Sequence, residues 1–371
     1  MLTRKTELCK ISLIILMMST LIFFVGDISI ISPTAIELEN LNISSQDSGQ
    51  SYSGTRTRPN DTTHFYTGTT TEVNRKYSDL KLVSNRKRVR SLAKTFIVCP
   101  VFSGGLGNMM FEFASSFGIA RSKGMNVAIS STCELLSSFK LNHFIIDIRD
   151  NMIACHPNNV HNRNERQPSA YDPKLLKFEN NTNVRLTYFL QSFFYFQNYS
   201  TELKNQFIFK DEIRNKAVSI FNDFLHKFNI TNRKSSTIIG VHVRRGNMVN
   251  STHGYNVATR QYLSDAVNWY KGKYNNLYFI AASNDIKWTQ TNLPKNISVE
   301  YLTGNSPAVD MATVSMSDHF ISTVGSFSWW CGWLTGGHVT YYKWPAKEKS
   351  KLRSCYSKNY TDYFLPDWIG L

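Results

Sequence analysis

The sequence predicts an α/β protein in which two domains, each built from parallel strands and helices, face a cleft. Short apolar runs typical of strands alternate with helical patterns from residue 96 onward, as in parallel βα units. Glycine turns follow two of these strands. Hydrophobic residues make up 42% and aromatic residues 13% of the 371 positions, which excludes a wholly disordered or fibrous protein. We place the N-terminal α/β domain at residues 96–235 and the C-terminal α/β domain at residues 236–371.

The chain is basic, with 42 Lys and Arg against 27 Asp and Glu and a formal net charge of +15. Such a balance raises the hypothesis of a nucleic-acid partner. However, the excess is spread along the chain, and the one dense run, Arg86–Arg90, lies in a polar linker. Neither a zinc-finger spacing nor an RNA-binding aromatic motif occurs in the sequence. We therefore expect no nucleic-acid partner.

An apolar segment close to the N terminus predicts a transmembrane signal-anchor at residues 11–31. One charge, Asp27, interrupts it, and as a helix it would span about 31 Å, close to a hydrocarbon core of about 30 Å. Positive residues precede it, so residues 1–10 form a cytoplasmic tail and the chain is a single-pass type II protein with a luminal body. The alternative is a cleaved signal peptide, which usually ends at a small-x-small site that is not evident here.

Residues 32–95 predict a flexible stem, because their Ser-, Thr- and Asn-rich composition offers too little apolar surface to offset the entropy of ordering. The body then lies in the secretory pathway, where glycans and disulfides form. Candidate glycosylation sites of the Asn-x-Ser/Thr type are Asn42, Asn60, Asn180, Asn198, Asn229, Asn250, Asn296 and Asn359. The luminal cysteines are Cys99, Cys133, Cys155, Cys331 and Cys355, an odd number, so one is free or pairs between chains.

The first βα unit contains a glycine turn. Thr95–Phe102 predicts a buried strand, Met109–Gly124 a helix with Gly124 as its C-cap, and Val127–Ser130 the next strand. The intervening residues 103–108, SGGLGN, let backbone N–H groups approach an anion at the start of the helix. Their spacing matches neither the P-loop nor the dinucleotide fingerprint, so a purely structural turn is the alternative.

The C-terminal half repeats the alternation of strands and helices. The predicted strands are Ser236–Arg244, Asn276–Ala282 and His319–Val324, and the predicted helices are Arg260–Tyr274, Asp310–Ser317 and Ser328–Thr335. Residues 135–235 carry many aromatic side chains but little period, so they do not predict where a hinge between the domains lies.

An arginine motif, Gly240–Asn247, ends one predicted strand. Alternation along the strand places His242 and Arg244 on one face, and side chains at the carboxyl end of a parallel strand face the ligand crevice. A guanidinium binds a phosphate through two parallel hydrogen bonds. The motif therefore favours an anion site over the alternative, a surface loop with two solvated arginines.

A third motif, Asp310–Trp330, contains a strand, the pair Gly325-Ser326 and two tryptophans. The hydroxyl of Ser326 and the free N–H groups of the following helix are suited to bind phosphate, whereas a tryptophan pair is more typical of a core. No Cys-x-x-Cys, His/Cys cluster or Asp-x-Asp occurs in the sequence, so we expect no metal site.

Taken in order, the segments LGNMMFEFA, GVHVRRGN, FIAASNDIKW and DMATVSMSDHFISTVGSFSWWCGWLTGG resemble the successive motifs of the α-1,2-fucosyltransferases. The predicted anchor and stem also match the animal members of that family. The resemblance implies a GT-B-like architecture of two Rossmann-type domains and a Golgi membrane location. It further implies GDP-fucose as donor substrate and a galactose-terminated glycan as acceptor. Many transferases hold a metal with Asp-x-Asp, so the absence of this motif agrees with a reaction that needs no metal.

The resemblance also implies roles for individual residues. Arg244 would contact the β-phosphate of the donor and His242 would lie by the nucleotide. Asp310 would bind the guanine ring and Ser326 a phosphate, while Gly105, Gly107 and Asn108 would line the cleft from the first domain. The family usually ends its arginine motif with Asp, whereas this chain has Asn247, which cannot act as a base. The general base is therefore unassigned, with Glu112, Asp285 and His242 as candidates.

The activity implied by the resemblance is that of a galactoside 2-α-L-fucosyltransferase, an inverting enzyme that moves L-fucose from GDP-β-L-fucose to the 2-hydroxyl of a terminal galactose. One alternative is a fucosyltransferase of another linkage, and another is a catalytically inactive, membrane-anchored glycan-binding protein. The aromatic stretch Tyr188–Tyr199 is compatible with sugar stacking and equally with core packing.

Overall fold

The structure, a computed structural model, describes residues 96–142, 145–148 and 154–371, with residues 145–148 described as backbone alone. The predicted cytoplasmic tail, transmembrane signal-anchor and stem lie outside these ranges. Within them, no helix is long and apolar enough to cross a membrane.

Five parallel strands form the first sheet, in the order β3-β2-β1-β5-β4. They are β1 Ile97–Pro100, β2 Asn126–Ser130, β3 Ile145–Ile148, β4 His161–Asn164 and β5 Val184–Thr187. The central strand β1 pairs Val98 with Val127 on one side and with Val184 on the other. All three valines are buried, as expected for a parallel sheet covered on both faces.

Six parallel strands form the second sheet, in the order β11-β10-β9-β6-β7-β8. They are β6 Thr237–Val243, β7 Leu277–Ser283, β8 Ser298–Tyr301, β9 His319–Ser322, β10 Val339–Tyr341 and β11 Ile369–Gly370. Because β6 lies between β7 and β9, its carboxyl end meets those of both neighbours at one edge of the sheet.

Helices connect the strands and cover the sheets. They are α1 Leu106–Ser122, α2 Leu135–Ser138, α3 Ser200–Gln206, α4 Asp211–Lys227, α5 Arg260–Lys271, α6 Ile286–Asn292, α7 Pro307–Val314 and α8 Ser326–Thr335. Short 3₁₀ turns lie at Pro173–Leu176, Phe193–Tyr195, Gln197–Tyr199, Arg233–Ser235, Gly246–Met248 and Arg353–Cys355. A mixed α/β fold with parallel sheets is therefore confirmed.

The two faces of β6 pack into different cores, because successive side chains of a strand point to opposite sides. Ile239 and Val241 join a cluster with α5, whereas Ile238 joins a larger cluster that includes Phe320 and Trp330. This larger cluster also contains apolar residues of the first sheet, so it connects the two sheets. The division at residue 235 falls between the strands of the two sheets, but as a domain boundary it stays a prediction.

Most predicted elements are confirmed with shifted ends. Helix α1 begins at Leu106, three residues before the predicted start, and α7 begins at Pro307. The start of α7 follows a serine cap, because Ser306 Oγ accepts a hydrogen bond from the Val309 N–H at 3.4 Å and proline occupies the first helical position. Gly124 follows the C-cap of α1 with a φ of +65°, which fits its predicted role in ending that helix.

Some of the cysteines form disulfides and others carry free thiols. Cys99 on β1 forms a disulfide with Cys155, and their Cα atoms lie 5.8 Å apart. Among the described residues, Cys133 and Cys331 carry free thiols. Burial raises the pKa of the Cys133 thiol to about 11 and that of Cys331 well above its usual value, so neither behaves as a reactive thiolate.

Helices α1 and α8 touch backbone to backbone at Gly107. A Cβ atom added to Gly107 would lie 2.4 Å from the Phe327 nitrogen and 2.6 Å from the Ser326 carbonyl carbon. Side chains along α1 are buried on every side from Met109 to Ala120, which is typical of a helix enclosed in a core. The glycine is therefore required by a close approach of two rigid elements.

We expect Gly107→Ala to lower the free energy of unfolding by about 1–3 kcal/mol, because the added methyl group has to separate α1 from α8. Urea unfolding of the purified protein measures this change. Gly105→Ala, two residues earlier, is the matched control, since a Cβ atom there meets nothing within 4 Å. Equal stabilities of the two variants would contradict the packing described here.

Candidate active site

A cavity of about 200 Å³ opens where the carboxyl ends of β1, β6 and β9 come together. Both polar groups and aromatic side chains line it. The lining includes Gly105, Asn108, Gln191, Arg244, Tyr255, Asn247, Ser326, Phe189, Tyr356 and Tyr363. The carboxyl edge of parallel strands is the usual position of ligand sites in α/β proteins.

Two helix N termini meet at this cavity. The N-caps are Gly105 for α1 and Gly325 for α8, and neither makes a side-chain cap hydrogen bond. Gly325 has a φ of +94°, a conformation that favours glycine. The two helices are joined by a hydrogen bond from Ser326 Oγ to Asn108 Oδ1. Uncapped N–H groups and the positive ends of two helix dipoles make this part of the cavity suited to an anion.

Arg244 follows β6 directly and is fixed through its backbone. Its N–H donates to Thr323 Oγ1 at 2.9 Å, and Thr323 Oγ1 in turn donates to the His242 carbonyl oxygen at 3.0 Å. Its guanidinium Nη2 donates to Asn247 Oδ1 at 2.7 Å. Asn247 therefore orients the arginine through its amide oxygen.

The Arg244 guanidinium is half-buried, and burial lowers its pKa from the ordinary value, with Tyr255 acting in the opposite direction. Among the described residues, no Asp or Glu carboxylate forms a salt bridge with the Arg244 guanidinium. A partly buried cation without a carboxylate is costly unless a bound anion compensates it.

The guanidinium of Arg245, the next residue in the chain, is engaged in contacts within the protein. Its guanidinium carbon lies 3.7 Å from the centre of the Trp288 ring, and its Nε lies 3.6 Å from Asp285 Oδ2. Asp285 also accepts a hydrogen bond from the Trp288 N–H at the start of α6. Both residues therefore stabilise the loop after β7, and neither lines the cavity.

His242 lies beneath the cavity rather than on its surface. Its side chain is buried, and its ring centre lies 4.7 Å from that of Phe327. The Nδ1 atom has no hydrogen-bond partner among the described residues. Burial, with a smaller contribution from Arg244, lowers the pKa of His242 to about 3. The imidazole is therefore neutral at pH 7, and with this pKa it would be a weak base.

Glu112 on α1 supports the glycine turn. Its fully buried carboxyl accepts hydrogen bonds from the Ser103 N–H at 2.9 Å and the Ser103 hydroxyl at 2.7 Å. Burial raises the pKa of Glu112 well above its ordinary value, although both hydrogen bonds act in the opposite direction. Glu112 therefore fixes the loop before α1 and does not line the cavity.

Asp310, in the first turn of α7, does not line the cavity that Arg244 lines. Its Oδ1 accepts a hydrogen bond from Asn305 Nδ2 at 3.1 Å, and burial raises its pKa. Asn305 lines a second cavity, of about 260 Å³, at the carboxyl end of β8. Gly105, Asn108, Arg244 and Ser326 thus share the first cavity, Gly107 lies beneath it, and the roles assigned to these residues stay predictions.

The sequence did not identify the aromatic residues that line the cavity. Tyr356 and Tyr363 come from the C-terminal segment, which shows no regular period, and Tyr255 follows the arginine motif without belonging to it. In the stretch Tyr188–Tyr199, most aromatic side chains are buried in the core, which favours core packing, while Phe194 stays 37% exposed.

The sequence matches the glycosyl transferase family 11 profile over residues 69–371, most of the chain. The chain belongs to glycosyl transferase family 11. Galactoside alpha-(1,2)-fucosyltransferase 2 of Sus scrofa is 29% identical over 286 residues, which cover 72% of this chain and 78% of that relative. The Mus musculus protein of the same name is 28% identical, with 72% and 76% covered.

Family 11 membership confirms the resemblance that the four motifs predicted and the classification as a glycosyltransferase. Solved structures show a distant likeness to this family 11 chain. Fucosyltransferase NodZ from Bradyrhizobium is 13% identical with a TM-score of 0.44, covering 64% of this chain and 93% of NodZ. POFUT1 in complex with GDP is 12% identical with a TM-score of 0.39, covering 67% of this chain and 98% of POFUT1.

The candidate glycosylation sites of this family 11 chain can be located in part. Side chains at Asn180, Asn198, Asn229, Asn250, Asn296 and Asn359 are all exposed, as glycan attachment requires. Asn42 and Asn60 lie outside the described residues. Glycosylation of any of them stays a prediction.

The low pKa of His242 predicts a pH-dependent contribution to stability. Between pH 6.5, its ordinary pKa, and about 3, the unfolded state binds a proton that the folded state excludes, so stability is lost as the pH falls. In His242→Gln this contribution is absent. We therefore expect the difference in unfolding free energy, wild type minus variant, to decrease by up to about 1.4 kcal/mol per pH unit on acidification.

Urea unfolding of wild type and His242→Gln at pH 7, 5.5 and 4 measures that difference. Contributions of other titrating groups, including the buried Glu112, are common to both proteins and cancel. A difference that does not change with pH would show that His242 is protonated as readily in the folded as in the unfolded chain.

Proposed function

We propose that this family 11 glycosyltransferase moves L-fucose from GDP-β-L-fucose to the 2-hydroxyl of a terminal galactose on a glycan, with inversion at the anomeric carbon. The observation that carries the proposal is Arg244, a half-buried cation that forms no salt bridge with a described carboxylate and lines the cavity at which two uncapped helix N termini meet. The names of the curated relatives supply the sugar and the linkage.

The charge of this site is matched to a departing nucleoside diphosphate. In an oxocarbenium-like transition state, negative charge grows on the leaving group, which ends as GDP with about three negative charges. Each helix N terminus contributes roughly half a positive charge, and Arg244 adds a full one. Preorganised donors of this kind stabilise developing charge without reorganisation, so leaving-group stabilisation is the main catalytic contribution in this proposal.

Each polar residue then has a role toward the donor. Arg244, oriented by Asn247, contacts the β-phosphate, and Ser326 offers its hydroxyl and the N–H groups that follow. Gly105 and Asn108 close the site from the side of the first sheet. Asp310 binds the guanine ring at a distance from the diphosphate, and the two parallel sheets correspond to the two Rossmann-type halves of a GT-B architecture.

The acceptor would bind against the aromatic residues of the cavity. Tyr255, Tyr356, Tyr363 and Phe189 line the same cavity as Arg244 and Ser326, and in this proposal they are the aromatic residues that a sugar packs against. None of the candidate bases Glu112, Asp285 and His242 lines the cavity as described, so the proposal assigns no base. Metal independence is part of the proposal, and unchanged activity in EDTA would support it.

We further propose that the enzyme is a Golgi single-pass type II membrane protein, anchored by residues 11–31. The Cys99–Cys155 disulfide supports an oxidising, luminal environment for the body, and the exposed Asn-x-Ser/Thr sites fit the same compartment. Alkaline carbonate extraction combined with protease protection of sealed Golgi vesicles tests it. Release of the protein by carbonate, or digestion of its body in intact vesicles, would contradict this topology.

We expect Arg244→Ala to lower the rate of fucosyl transfer by about 10²–10³-fold, because a charge-assisted contact to the leaving group is lost. Arg244→Lys should be intermediate, since an ammonium keeps the charge but not the bidentate geometry. Transfer from labelled GDP-fucose to a galactose-terminated acceptor measures the effect. Arg260→Ala, an exposed position at the start of α5, is the matched control and should keep full activity.

Linkage analysis of the wild-type product decides between the proposed activity and its alternatives. An α-1,2 linkage supports the proposal, and any other linkage identifies a fucosyltransferase of different specificity. If wild type binds the acceptor but neither transfers nor hydrolyses the donor, the chain is a glycan-binding protein, a possibility suggested by Asn247. Full activity of Arg244→Ala would overturn the assignment of the donor site.

A further inference from the structure

The turn that follows β5 has an unusual backbone. Tyr188 and Leu190 have φ values of +75° and +51°, a region that non-glycine residues occupy only when their surroundings hold them there. The Leu190 N–H donates to Glu165 Oε1 at 2.9 Å. Because β4 and β5 are parallel neighbours, Glu165 follows β4 at the same edge at which this turn follows β5.

Glu165 is a buried support for the turn. Its side chain has no solvent exposure, and its Oε2 has no hydrogen-bond partner among the described residues. Burial raises the pKa of Glu165 well above its ordinary value, while the hydrogen bond from the Leu190 N–H acts in the opposite direction. A buried carboxyl of this kind is a fixed part of the structure, and it acts on the cavity only through the turn.

The turn places Gln191 next to Asn108 in the lining of the cavity. Gln191 Oε1 accepts a hydrogen bond from Ser169 Oγ at 3.3 Å. Its Nε2 then donates to Asn108 Oδ1 at 3.0 Å, and Ser326 Oγ donates to the same Oδ1. Two donors therefore contact the side-chain oxygen of Asn108, and reversing the Asn108 amide would place its N–H groups against those of Gln191, which cannot accept.

With Oδ1 fixed in this way, the Asn108 amide nitrogen stays beside Gly104. A Cβ atom at Gly104 would lie 2.4 Å from Asn108 Nδ2, so the glycine leaves room for the amide group. Gly104 and Asn108 both line the cavity. The amide hydrogens of Asn108 are thus presented where the two helix N termini and Arg244 converge.

We propose that Gln191 is a positioning residue for the donor: it holds Asn108 so that the amide N–H groups of Asn108 meet diphosphate oxygens, and Glu165 holds the turn that carries Gln191. This inference rests on the proposed function, because the diphosphate is that of GDP-fucose. The same turn also contributes Phe189 to the lining of the cavity.

Gln191→Glu tests the inference in the full chain. The substitution keeps the size of the side chain but replaces the donor Nε2 by an acceptor oxygen, so the Asn108 amide has to reverse and turn its oxygen toward the diphosphate. We expect GDP, measured by calorimetry, to bind about tenfold more weakly, and the KM for GDP-fucose to rise by a similar factor. The acceptor KM and the midpoint of thermal unfolding should change little.

Two further variants make the result specific. Gln191→Met removes the hydrogen bond without reversing its polarity, and Ser326 still holds Asn108, so its effect on GDP should be several-fold smaller than that of Gln191→Glu. Gln290→Glu, an exposed site on α6, introduces the same charge away from the cavity and should change nothing. If Gln191→Glu binds GDP as tightly as Gln290→Glu does, the inference is wrong.

Variants of Glu165 separate support of the turn from simple loss of folding. Glu165→Gln keeps an oxygen for the Leu190 N–H and should preserve GDP affinity, whereas Glu165→Leu removes that oxygen and should weaken GDP binding toward the level of Gln191→Glu. Equal GDP affinities of folded Glu165→Leu and wild type would overturn the role of Glu165. Absence of fucosyl transfer in wild type would instead contradict the proposed function. That assay is independent of the GDP affinities, which test the roles of Gln191 and Glu165.

Discussion

The site depends on the contact of α1 with α8 at Gly107, where two backbones approach more closely than any side chain allows. One helix belongs to the connection of the first sheet and the other to that of the second, so the contact brings two helix N termini to one point. The positive ends of the two helix dipoles repel each other, and a nearby negative charge offsets this repulsion. Arg244, held by its backbone to Thr323, adds to that repulsion. In our account, the diphosphate of the donor supplies the missing negative charge.

Much of the fold could be predicted because local signals and tertiary structure agree. The strand before Arg244 is a short apolar run, as a strand buried on both faces requires, and it forms β6 in the predicted place. Gly124 ended the first helix as expected from its position. The glycine turn, Arg244 and Ser326 were each recognised from residue types whose chemistry suits an anion, and the structure brings them to one cavity.

Other parts depend on contacts between distant residues, which no local pattern reveals. His242 lies in β6 and Arg244 directly follows it, yet the histidine is buried against Phe327 and the arginine lines the cavity. Glu112 and Asp285 looked like candidate bases because of their places in the sequence, but each stabilises a loop, through Ser103 and Arg245 respectively. A series of hydrogen bonds runs from Gln191 through Asn108 to Ser326 and so connects residues of the first and the second sheet's connections. Neither spacing nor composition predicted it.

The most direct test of the central claim, that the two helix N termini and Arg244 bind a diphosphate, is calorimetric titration of the full chain with GDP and with GMP, without added divalent cations. The two nucleotides share the guanine ring and differ in the β-phosphate that Arg244 is proposed to contact. Our account predicts that GDP binds at least about tenfold more tightly, the factor that corresponds to one charge-assisted hydrogen bond. Equal affinities for GDP and GMP would contradict it.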